Sequence, residues 1–193
     1  MSSRTAVWAG TLAAAPLWAV VERAEAGPYL RRDADRFAAC LRRPDVAALS
    51  PRARFGWLVA RHPEFRSLVH YRLTPLPWPV RALLRALWRP LPTLHLGAAV
   101  IGPGLFIEHG FATTLTASAV GADCWVNQQV TVGHTRHGQP VIGDRVRIGA
   151  GAVVVGPVRV GDDAVVGANA TVVQDVPAGA VMLAPLAVPR PES

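Results

Sequence analysis

The chain has 193 residues, 51% of them hydrophobic and 17% charged, with a net charge of +7. This length and apolar content exclude a disordered chain and allow one or two packed domains. Most arginines fall in the first ninety residues, with no basic–aromatic reading motif beside them, so they are expected on solvated helix faces and no nucleic-acid partner is expected.

Residues 1–93 are predicted to form an α-helical N-terminal domain. Apolar residues recur at helical spacing over 4–25, 28–43 and 52–70, divided by Gly-Pro or Pro signals. The run from Ala6 to Val21, with Ala24-Glu25-Ala26 after it, loosely mimics a secretory signal. Gly10 and Pro16 interrupt that run and Glu22-Arg23 follow it at once, so the expectation is a helix of a cytoplasmic protein. No stretch reads as a membrane span. Segment 79–89 is a basic amphipathic helix, with Arg81, Arg85 and Arg89 at i, i+4, i+8 among Val80, Leu83, Leu84, Leu87 and Trp88. It is short for a membrane anchor, so packing on its own domain or on a partner subunit is expected, and membrane contact is not. Cys40 and Cys124 are too few and too far apart for a disulfide framework; Cys124 is expected to be a buried thiol.

From about residue 94 the pattern changes. Ile142, Ile148, Val154, Val160, Val166 and Val172 recur every sixth residue, and Gly143, Gly149, Gly161 and Gly167 follow four of them. A second row of Val146, Ala152, Val158, Ala164 and Ala170 runs in phase. A period of six fits neither a helix nor a simple strand; it marks a parallel β-helix. Earlier, Ile101 and Ile107 open the hexads, one extra residue intervenes, and Val120, Val126 and Val132 resume them. The ten-residue step from Val132 to Ile142 extrudes four residues as a loop within Gly133–Val141. The β-helix is predicted over 94–182, with a C-terminal tail over 183–193. Such a stack exposes flat faces and two ends, so the helical half is expected to cap one end and self-association to cover a face.

The hexads, the loop and the preceding helices resemble the hexapeptide-repeat acyltransferases, and within them the serine O-acetyltransferase group. Ile101-Gly102-Pro103-Gly104-Leu105-Phe106-Ile107-Glu108-His109-Gly110, Gln129-Val130-Thr131-Val132-Gly133 and Ile148-Gly149-Ala150-Gly151-Ala152 carry the resemblance, with Pro63-Glu64-Phe65-Arg66 and Tyr71-Arg72 upstream. It implies a left-handed parallel β-helix, acetyl-CoA as a substrate, no metal, cysteine biosynthesis, and a homotrimer or a dimer of trimers. The implied reaction moves acetyl to a hydroxyl of a small acceptor, serine or a serine-like compound.

On this resemblance His109 is the general base. Imidazole can take the hydroxyl proton during attack on the thioester and return it to the leaving thiolate. No Gly-x-Ser-x-Gly elbow or activated cysteine is present, so direct transfer in a ternary complex is expected. Glu108 is the candidate partner of an acceptor ammonium, and Arg136 and His137 in the loop are candidates for its carboxylate. His134 is placed on the coenzyme A side. Ala150 and Ala168 lie one eighteen-residue coil apart; with Gly149 and Gly167 they are the candidate groove for the pantetheine arm.

The chain departs from the serine enzymes at three places. Leu94, beside His95, stands where they carry an aspartate fifteen residues before the base. Gly138-Gln139-Pro140 stands at their Arg-His-Pro, offsetting Arg136-His137 by two. Leu183-Ala184-Pro185-Leu186-Ala187 replaces their terminal Gly-x-Pro-Ala-Arg. The alternatives are a sugar or polysaccharide O-acetyltransferase, a β-helical zinc enzyme of the carbonic anhydrase type using His109, His134 and His137, and a non-catalytic assembly scaffold.

Overall fold

A computed structural model describes residues 3–187, with side chains from residue 7; the last six residues of the expected tail lie outside the described residues. Helices come first: α1 (Ser3–Ala13), α2 (Ala15–Arg23), α3 (Gly27–Cys40), α4 (Pro44–Ala47), α5 (Pro51–Arg61), α6 (Pro63–Arg72) and α7 (Trp78–Leu87). Two segments expected to be single helices are each two. The first breaks at Ala14, where Pro16 has no N–H to continue the ladder. The third breaks at His62, which Pro63 drives out of the helical region to φ −117°, ψ 96°. α1 and α5 meet closely because a β-carbon on Gly56 would stand 2.7 Å from the Thr11 Cα. No described helix is long and apolar enough to cross a membrane. α7 packs on its own domain through Leu84, which joins the core, while Trp78, Val80, Leu83 and Leu87 stay exposed.

Thirteen short strands then wind a parallel β-helix of five coils. The first face holds β1 (Leu94–Leu96), β3 (Thr113–Leu115), β6 (Thr131–Gly133), β9 (Val153–Val155) and β12 (Thr171–Val172). The second holds β4 (Ala119–Val120), β7 (Val141–Ile142) and β10 (Arg159–Val160), extended by bridges at Ile101 and Val176. The third holds β2 (Phe106–Ile107), β5 (Trp125–Val126), β8 (Arg147–Ile148), β11 (Val165–Val166) and β13 (Val181–Met182). All ladder pairings are parallel. The expected fold class, a left-handed parallel β-helix after an α-helical segment, is the observed one.

The hexad chemistry explains the coil. The residue of each six that points inward is buried: Ile142, Ile148, Val154, Val160, Val166 and Val172 are at most 2% exposed. Each such Val or Ile contributes about 1.5–3 kcal/mol. The following glycines are there for space. A β-carbon on Gly121 would stand 2.5 Å from the Gly143 carbonyl carbon in the next coil, so only glycine lets the corners stack. Cys124 fills one small inward slot and is buried.

The helical half covers the first coil. Phe37 of α3 stands edge-on to Phe65 of α6 at 5.0 Å and to Phe106 of β2 at 4.9 Å; Phe106 meets Trp125 of β5 at 5.1 Å. Beside this aromatic chain Arg72 crosses from α6 to Asp33 of α3, with Nε–Oδ2 at 3.0 Å. Arg72 also donates to the carbonyls of Ile101 and Gly102, and the Gly104 N–H donates to Asp33 Oδ1 at 2.7 Å. The helices therefore fix the coil that carries Glu108 and His109.

Candidate active site

The single extra residue between Ile107 and Val120 resolves into two local changes. From the third face to the first, the inward step is six in later coils, as from Val126 to Val132, but eight from Ile107 to Leu115. From the first face to the second it is five, Leu115 to Val120. The bulged corner contains His109-Gly110, both left-handed, at φ 65° and φ 57°. Non-glycine residues adopt that region rarely and at a cost of about 1–3 kcal/mol. The bulge turns His109 out of the coil, exposed, and among the described residues its ring makes no hydrogen bond.

Gly110 has little room. A β-carbon there would stand 3.0 Å from Ile107 Cγ2 and 3.3 Å from Leu91 Cδ2 and Leu94 Cδ2. Leu94, at the place of the serine enzymes' aspartate, is thus a buried apolar buttress beneath the corner. His95 points outward on the first face, its ring over Gly97 and near Thr116. The backbone at His109 is set by the bulge, and among the described residues no carboxylate bonds its ring.

Glu108 turns onto the outer side of the third face. Its Oε2 accepts from Asn127 Nδ2 at 2.8 Å and from Trp125 Nε1 at 3.2 Å. A cavity of about 210 Å³ opens there, lined by Glu108, Trp125, Asn127, Arg147, Gly149 and Gly167 among others. One cavity therefore joins a residue expected to hold the acceptor to two expected to line the coenzyme groove. Gly149 and Gly167 stack closely one coil apart: a β-carbon on Gly149 would stand 2.7 Å from the Ala168 nitrogen. Ala150 accepts from the Asn169 N–H at 2.9 Å, and Ala168 is exposed at the same corner.

The loop residues do not join them within one chain. His134, Arg136 and His137 are exposed at the corner between the first and second faces, across the first face from His109. The loop closes on itself through Thr135 and Gly138, and Gly138 packs against Pro157. Arg136 Nε donates to His137 Nε2 at 2.9 Å. Likewise His109, His134 and His137 do not converge on one point, and among the described residues no group of three or more His, Cys, Asp or Glu is placed to hold a metal.

Trp125, Asn127 and Arg147 were not singled out from the sequence. The signal was present: one coil is nineteen residues from Glu108 to Asn127 and twenty-two from Trp125 to Arg147, and each alternates with an inward Val126 or Ile148. Counting coils across the inserted loop puts all of them on the outer third face.

Residues 139–174 match the bacterial transferase hexapeptide (six repeats) family. Serine acetyltransferase from Synechococcus elongatus is 34% identical over 148 residues, covering 69% of this chain and 59% of that protein. The Mycobacterium tuberculosis serine acetyltransferase is 45% identical over 97 residues, 47% of this chain and 41% of that protein. Among solved structures, Neisseria gonorrhoeae serine acetyltransferase in complex with serine aligns with a TM-score of 0.61 at 25% identity, over 84% of this chain and 68% of that one. Isoform 3 of the Entamoeba histolytica enzyme, in complex with cysteine, aligns at 0.58 and 26% identity, over 84% and 60%. The chain spans about half the length of the curated relatives it matches. In repeat, fold and relatives alike, this chain is a hexapeptide-repeat protein that resembles the serine acetyltransferases.

Proposed function

We propose that this chain is an acetyl-CoA-dependent O-acetyltransferase acting on the hydroxyl of serine or a serine-like small acceptor. The observation that carries the reading is the cavity joining Glu108 to Gly149 and Gly167, beside the corner that turns His109 outward. The pantetheine arm runs along the stacked corner of Gly149, Ala150, Gly167 and Ala168, with His134 on the coenzyme side. His109 takes the acceptor's hydroxyl proton as its oxygen attacks the thioester carbonyl, then protonates the departing thiolate, with no acyl-enzyme between. The buried Cys124 thiol, which burial pushes up to about 11, is no rival nucleophile.

The functional assembly is a homotrimer, or a dimer of such trimers. Only a neighbouring chain can bring Arg136 and His137 to the corner of His109, since within one chain the first face separates them. The protein is read as cytoplasmic. The test is release of free coenzyme A thiol from acetyl-CoA with serine, homoserine and hexose acceptors. Release is expected only with a hydroxy-amino acid and is lost in His109→Ala. Release with hexoses alone would replace serine by a sugar.

A further inference from the structure

A surface helix ordinarily turns its polar side to water and its apolar stripe to the core. α7 does the reverse. Its exposed residues are Trp78, Val80, Ala82, Leu83, Ala86 and Leu87, with Pro79 at the start and Arg85 the one exposed charge. By helical position the apolar ones fill the arc from Trp78 round to Val80, while buried Leu84 and half-buried Arg81 and Trp88 take the rest. Trp78 is 76% exposed, and Leu83 and Leu87 are each 60% exposed. The far end of the helix is held to α6: His70 Nε2 donates to the Trp88 carbonyl at 2.7 Å and Arg66 Nε to the Arg89 carbonyl at 2.6 Å. The apolar arc is therefore already ordered when it meets a partner.

The charges around it have one sign. No Asp or Glu occurs between Glu64 and Glu108, a stretch that carries five arginines. Among the described residues Arg81, Arg85 and Arg89 form no ion pair. A second copy laid face to face on α7 would bring the arginines of both helices together with no carboxylate of this stretch to meet them, and such like-charge contacts are costly. An anionic lipid surface supplies both complements, phosphates for the arginines and acyl chains for Leu83 and Leu87.

We propose that α7 docks this protein on an anionic lipid bilayer, lying flat with Leu83 and Leu87 at the acyl boundary and Arg85 and Arg89 at the headgroup phosphates. Trp78 sits at the headgroup level, where indole is favoured. From the sequence no membrane contact is expected, because the helix is short for an anchor. The structure adds apolar surface from a second helix: Ala13 of α1 lines a cavity of about 420 Å³ with Leu87 and Arg89, and Leu12 beside it is exposed. No described helix can span the bilayer, so the contact is peripheral and reversible. The proposal stands apart from the acetyl-transfer reading.

The test is co-sedimentation of the full chain with vesicles of phosphatidylglycerol and phosphatidylcholine, or of phosphatidylcholine alone, at low and high salt. Binding to the anionic vesicles is expected to be about tenfold or more tighter and to weaken with salt. The double variant Leu83→Glu, Leu87→Glu should lose it, and Arg85→Gln, Arg89→Gln should weaken it about tenfold, with thermal unfolding unchanged in both because the side chains are exposed. Brominated lipid should quench tryptophan fluorescence in the wild type and less in Trp78→Phe. The proposal is overturned if the wild type ignores anionic vesicles. It is equally overturned if the leucine variant binds them like the wild type, since adsorption would then reflect net charge alone. Sedimentation velocity without lipid adds a third refutation: a smaller assembly in the leucine variant would make this face a contact between copies of the chain.

Discussion

Replacing Asp33 by alanine strips a buried guanidinium of its carboxylate. Asp33 is 0% exposed and Arg72 8%, and they meet through two contacts, Nε–Oδ2 at 3.0 Å and Nη2–Oδ1 at 3.2 Å. Removing one partner of such a pair leaves an uncompensated charge and costs about 3–5 kcal/mol. The Gly104 N–H loses its acceptor in the same change, so the upper part of that range is expected. A domain has about 5–15 kcal/mol in all, so the variant stays folded but barely. With a urea slope of about 2 kcal/mol per molar, the midpoint should fall by roughly 2 M. The double variant Asp33→Leu, Arg72→Met removes both charges and should be more stable than Asp33→Ala alone. A midpoint shift under about 0.5 M, or a double variant as unstable as the two singles combined, would refute the claim that this pair joins the helices to the first coil.

Gly110→Ala places a β-carbon at φ 57° against Ile107, Leu91 and Leu94; a loss of about 1–3 kcal/mol and of acetyl transfer is expected, read by thermal unfolding and thiol release. His70 is buried and donates from Nε2 to the Trp88 carbonyl at 2.7 Å; burial, with Arg85 and Arg66, holds its pKa below the ordinary imidazole value. The unfolded chain therefore binds the extra proton first, and stability falls as pH drops below about 6.5. Urea midpoints from pH 7.5 to 5 should fall more steeply in the wild type than in His70→Gln; parallel curves would contradict this. The Cys124 thiol, near pH 11, is about one part in a thousand thiolate at pH 8. Iodoacetamide should leave it unmodified in the folded protein, as peptide mass mapping would show; rapid labelling would place it outside the core.

The coil was legible because its period lies in the side chains themselves: Ile142 through Val172 mark every inward step without outside help. Helix breaks were less legible, because periodicity runs unchanged through His62-Pro63 while the backbone does not. At the candidate site, the sequence showed one extra residue before Val120, but not that it is a two-residue bulge at His109 offset by a shortened next corner. Such a division depends on which corner tolerates left-handed residues. The grouping of Glu108 with Arg136 and His137 came from both lying in the irregular part of the repeat. Three faces set the loop at another corner, and the same geometry brought Trp125, Asn127 and Arg147 to the cavity of Glu108 from seventeen or more residues away.

The most direct measurement is thiol release from acetyl-CoA by the purified chain with and without L-serine, in the wild type and His109→Ala, with O-acetylserine followed by mass. The account predicts serine-dependent release in the wild type and none above background in the variant, whose fold and serine binding are retained. Full turnover by His109→Ala, or release that ignores the acceptor, would contradict it.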